Sequence, residues 1–120
     1  MFSELNNGSG GSGGIDWSKL VLKEYHQKTF NINTYTASSD FSLVIIVGQG
    51  PNIFTSYLTK NGNLNAWDEH YAKGSTYGVT TDTGLSQYDD AFYFYDVKSG
   101  DVFSSTDASF YAYIYCFIEK

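Results

Sequence analysis

The residues most suggestive of chemistry in this chain are Asp82-Thr83-Gly84. Asp-Thr-Gly is the triplet on which dimeric acid proteases bring two carboxylates together, so that like charges in a dry site share one proton. That chemistry requires apolar strands around the triplet. Thr80-Thr81 precede it, Leu85-Ser86-Gln87 follow it, and no apolar-apolar-Gly segment lies downstream. The three residues therefore read as a polar turn. Gly10-Gly11-Ser12-Gly13-Gly14 has the spacing of a serine nucleophile elbow, which needs a strand before it and a helix after it. This match lies inside a Gly/Ser run from Gly8 to Gly14 and is compositional. Asn7-Gly8-Ser9 fits the glycosylation sequon, but no basic region or apolar leader accompanies it.

Metal chemistry has few ligands to draw on. His26 and His70 are the only histidines. Asp68-Glu69-His70 groups three ligand types, but consecutive strand residues point to opposite faces and do not converge without a bulge. Asp82, Asp89 and Asp90 offer oxygen ligands for calcium in a spacing that matches no calcium loop, so the stretch Asp82 to Asp90 reads as a solvated acidic loop. Cys116, the only cysteine, lies between Ile114 and Ile118 at two-residue spacing and reads as a small core residue. No catalytic residue, metal ligand or cofactor is expected.

Aromatic residues carry more information. Tyr111, Tyr113 and Tyr115 share one face of a terminal strand, and Tyr93 and Tyr95 share one face of the strand that leads into the Ser99-Gly100 turn. If these faces coincide they make a tyrosine-rich platform, suited to a protein interface because tyrosine joins a large stiff ring to a polar tip. Trp67, with Asn65 and Asp68 beside it, is the candidate for contact with a sugar.

Composition sets the frame for these side chains. The chain has 120 residues, 42% hydrophobic, with 11 Tyr, 9 Phe and 2 Trp, a balance that favours pleated, half-buried surfaces. Its net charge is −6 and it contains no arginine. Nucleic acid and anionic membrane surfaces are therefore poor partners. The longest apolar run, Leu43 to Val47, is too short to cross a bilayer. Synthesis in the cytoplasm without a signal peptide is the expectation.

Alternation marks the strands. Trp17 to Tyr25 and Thr29 to Thr36 predict an antiparallel pair turning at His26-Gln27-Lys28. Phe41 to Val47 is apolar on both faces after Ser42, so another segment or another subunit must cover its outer side. Ile53 to Lys60 and Leu64 to Tyr71 flank Asn61-Gly62, a type I′ hairpin signal. Ala72 to Asp90 reads as loop with a short strand at Tyr77 to Thr81. Ala91 to Val97 predicts a hairpin through Ser99-Gly100 into Val102-Phe103, and Phe110 to Ile118 alternates almost without fault. The expected architecture is all-β: an antiparallel β-sandwich, jelly-roll-like, of about eight strands. Residues 1–14 form a flexible head and Gly/Ser tether, and residues 15–120 a single β-sandwich domain.

The head Met1-Phe2-Ser3-Glu4-Leu5-Asn6-Asn7, the Gly/Ser tract and the β-rich body that follows resemble the small tail-region or fibre-associated proteins of tailed bacteriophages and prophages of gut bacteria. The resemblance implies a non-enzymatic structural or adhesion module of a virion. It would dock through Phe2 and Leu5, assemble as a homo-oligomer and present its tyrosine-rich sheet face. A carbohydrate-binding domain that engages a surface glycan is the alternative, and a small hydrolase built on Asp-Thr-Gly the third reading.

Overall fold

Alternating aromatic and β-branched residues build the long strands of the computed structural model, which describes residues 16–49, 57–71, 90–106 and 109–120. One sheet runs β1 (Leu20–Phe30), β9 (Phe110–Glu119), β3 (Phe41–Gln49), β7 (Asp90–Val97) and β6 (Glu69–Tyr71) in spatial order. The other runs β2 (Tyr35–Thr36), β8 (Val102–Ser105), β4 (Leu58–Lys60) and β5 (Asn63–Leu64). Neighbouring strands pair antiparallel throughout. Along the chain, β1, β3, β7 and β9 of the first sheet are separated by β2, β4–β5 and β8 of the second. That interleaving is the connectivity of a jelly roll, with β6 added beyond β7. The β-sandwich expected from the sequence is therefore the observed fold, with nine strands among the described residues.

Both sheets contribute to the inner core, in which Phe30, Val44, Ile46, Phe92, Phe94 and Ile114 of the first meet Tyr35, Leu58 and Phe103 of the second. β9 lies between β1 and β3, away from any edge, as its apolar alternation requires. Its residues Phe110, Ala112, Ile114 and Cys116 face the core. Cys116 is buried, its Sγ 3.2 Å from the Tyr35 hydroxyl, and burial pushes the thiol up to about 12.

Three expectations need correction. His26-Gln27-Lys28 does not turn: β1 runs through it for 11 residues and pairs with β9. The stretch contains none of the residues that ease a reversal, and the chain turns instead after Asn31, whose φ is 80°. Asn61 and Gly62 do form the predicted turn, with φ of 53° and 81°. Its return arm, however, stops at Leu64. Asn65, at φ 57°, redirects the chain into the other sheet as β6. Finally, Lys98 to Asp101 closes a turn, with Asp101 N–H donating to the Lys98 carbonyl at 3.0 Å, but β7 and β8 are not a hairpin. Val97 pairs with Phe41 and Val102 with Thr36, because the Ala37 backbone captures Gly100 and Asp101 and draws the chain across to the second sheet.

Residues 1–14 with Phe2, Leu5, the elbow-like Gly/Ser match and the Asn7 sequon, the first part of the strand from Ile53, the strand Tyr77 to Thr81, Asp82-Thr83-Gly84 and Asp89 lie outside the described residues.

Candidate functional site

Strand register brings the tyrosines of β7 and β9 onto one surface. β3 pairs with both neighbours, so Ile45 has Tyr93 on one side and Tyr115 on the other; Tyr25 of β1 extends the row past Tyr115. The next row is Gln27, Tyr113, Val47 and Ala91, and the row on the other side is Leu22, Phe117, Leu43 and Tyr95. Thr29 and Tyr111 continue the pattern. This is the outer face of the first sheet, opposite the inner core. None of these positions carries a charge, in a chain that is 17% Asp, Glu, Lys and Arg; charge enters the face at its ends, with Glu119 opposite Leu20 and Glu69 opposite Tyr93. The sequence-predicted platform of Tyr93, Tyr95, Tyr111, Tyr113 and Tyr115 is thus assembled on one face.

Its parts differ in accessibility. Leu43, Ile45, Val47 and Tyr93 are at most 1% exposed and form a second apolar cluster with Leu20, Ala91, Tyr115 and Phe117. The outer side of β3 is therefore buried within a single chain. Part of the cover is Trp17, which a 3-10 turn (Trp17–Lys19) carries onto the face. Its ring meets Tyr93 edge-on at 6.5 Å and Phe117 at 5.7 Å. The Asp16 carboxylate holds the turn by accepting from Ser18 N–H at 3.1 Å and Ser18 Oγ at 2.5 Å, and Lys120 N–H donates to the Lys19 carbonyl at 2.9 Å.

The β1–β9 margin is open. Tyr25 is 44% and Tyr111 38% exposed, both within long strands rather than at their ends. Gln27 ties them together: its amide Nε2 donates to the Tyr25 hydroxyl at 2.8 Å, and its Oε1 accepts from the Tyr111 hydroxyl. Tyr111 meets Tyr113 edge-on at 5.2 Å, and Tyr25 lies tilted on Tyr115 at 4.8 Å. Three exposed side chains on two strands are thus held in one hydrogen-bonded line backed by two further rings. Lys23, the extra residue of a β-bulge between Leu22 and Glu24, twists the free edge of β1 and places a cation on it. Both are devices that discourage edge-to-edge pairing.

Other sequence candidates have local jobs. The Trp67 ring packs on Phe92 at 4.9 Å and His70 at 5.9 Å, half-buried against the inner core. Asp68 lends its carboxylate to Tyr95 N–H at 2.8 Å and its own N–H to the Tyr93 carbonyl, extending the β6–β7 pairing. Asn65 serves the left-handed bend. Glu24 accepts from Ser38 Oγ at 2.6 Å and meets His26 Nε2 at 3.0 Å. That sequence of contacts puts the carboxylate between hydroxyl and imidazole, whereas activating a serine needs the imidazole in the middle. No group of three metal-ligating side chains converges among the described residues. Likewise, among them no helix is long and apolar enough to cross a membrane.

Comparison with known proteins identified no relative: no family model, curated protein or solved structure matches this chain.

Proposed function

We propose that this chain is a non-enzymatic adhesion module that engages its partner through the β1–β9 margin of the outer face, and that it serves as a tail- or fibre-associated accessory of a phage virion. The observation that carries the adhesive role is the charge-poor, tyrosine-rich face with its exposed, hydrogen-bonded Tyr25, Gln27 and Tyr111. Interface centres are enriched in tyrosine and depleted in charge, as this face is. The virion role is supported by the resemblance of the head and Gly/Ser tract.

Burial of β3 within one chain removes its need for a second copy. A homo-oligomer formed through the margin would compete with other partners for it. Binding of the tagged full chain to intact gut-bacterial cells, followed by flow cytometry, tests the reading. Retention should fall to background in the Tyr25→Ala/Tyr111→Ala variant. Unchanged retention in that variant overturns the proposal. Sedimentation velocity of the same two proteins separates self-association from capture by cells, and mass spectrometry of purified phage particles tests the virion role.

A further inference from the structure

We infer that Tyr25, Gln27 and Tyr111 form a contact site for an uncharged sugar ring. The inference rests on the adhesion reading and names its ligand class. It begins with the hydrogen-bonding capacity left over at the site. The Tyr25 hydroxyl accepts from Gln27 and keeps its own hydrogen to donate; Gln27 Nε2 keeps a second N–H; the Tyr111 hydroxyl donates to Gln27 and keeps acceptor lone pairs. Donors and acceptors thus alternate beside two exposed aromatic rings. A sugar ring presents the complement, hydroxyls that both donate and accept around a C–H face that stacks on an aromatic ring.

Charge and size narrow the choice. Gln27, Thr29, Tyr111 and Tyr113 bring no charge of their own to the site, and an alkyl chain would strand the spare donors. The exposed parts of Tyr25 and Tyr111 amount to about 100 Å² each on the scale of an aromatic side chain. One or two sugar rings fit a patch of that size. The rings are also held before binding, by Gln27 at their tips and by Tyr113 and Tyr115 behind them, which lowers the entropy lost on contact.

Saturation-transfer NMR and titration of the full chain with neutral glucose-, mannose- and galactose-configured oligosaccharides test this, with oligogalacturonate as the anionic comparator. At least one neutral oligosaccharide should bind more tightly than oligogalacturonate. Tyr111→Ala and Gln27→Ala should each weaken it by about tenfold, and Trp67→Phe should leave it unchanged. Gln27 is exposed, so its variant folds and reports on binding alone. Absence of binding across the neutral panel, tighter binding of the anionic comparator, or binding indifferent to both variants overturns the inference. If cells still retain the chain through Tyr25 and Tyr111 while no oligosaccharide binds, the partner is a protein: the sugar inference falls and the adhesion reading stands. If retention ignores Tyr25 and Tyr111, both fall.

Discussion

Trp17→Ala should destabilise the fold by about 2 kcal/mol, a value that follows from three contributions. Truncating a tryptophan in a core costs about 3–5 kcal/mol. Trp17 is half-buried, which puts its share near the lower end of that range, including its edge contacts to Tyr93 and Phe117. Against this stands the indole Nε1, buried with no hydrogen-bond acceptor among the described residues; removing a stranded donor returns about 1 kcal/mol. Trp17→Phe provides the control, because it keeps an aromatic edge against the face and also removes the stranded N–H. It should lie within about 1 kcal/mol of the parent. Urea unfolding followed by far-UV circular dichroism measures both; for a slope of about 1–2 kcal/mol per molar the alanine midpoint should fall by about 1–2 M. The alanine variant should also bind a hydrophobic dye more strongly, as the cluster around Phe117 and Tyr93 opens. An unchanged midpoint in Trp17→Ala would refute the claim that this ring covers the outer face, and with it the argument that one chain buries β3 unaided.

Asp101 gives a pH-dependent prediction. Burial pushes its carboxyl up, but Asn61, the Lys98 N–H and Lys60 together outweigh burial and hold it below the usual value of 3.8. A lowered folded pKa means stability that is present above 3.8 and lost as pH falls through the folded value. Asp101→Asn should therefore lower stability at neutral pH by about 1–2 kcal/mol, with the gap closing in acid. Denaturant midpoints across pH would show it, and a gap that widens in acid would contradict the sign. Gly62→Ala should cost about 1 kcal/mol for backbone strain alone, because φ is 81° and an added Cβ meets nothing within 4 Å; thermal unfolding measures it. Cys116, buried and with its thiol pushed up to about 12, should ignore Ellman's reagent in the native protein and react once unfolded.

Local pattern made β9 and the Asn61-Gly62 turn legible in the sequence, because each depends on residues within a few positions of one another. Pairing across the chain was not legible. Ser99-Gly100 has the chemistry of a hairpin turn, yet whether Val97 continues opposite Val102 is decided by Ala37, more than sixty residues away, whose backbone takes Gly100 and Asp101 instead. The tyrosine platform was half readable. Each strand announces its own face by alternation, but only the position of β3 between β7 and β9 makes the two faces one. Gln27 was harder to read. Read along the chain it is a polar residue between His26 and Lys28, where a turn would go. Its partner Tyr111 lies 84 residues away on β9. One local signal was available: Tyr25, Gln27 and Thr29 alternate through a stretch without Gly, Pro, Asn or Asp, which favours an unbroken strand over a reversal. Once β1 is continuous, its antiparallel register with β9 places Gln27 opposite Tyr113 and one step from both exposed rings. The contact site follows from the missing turn.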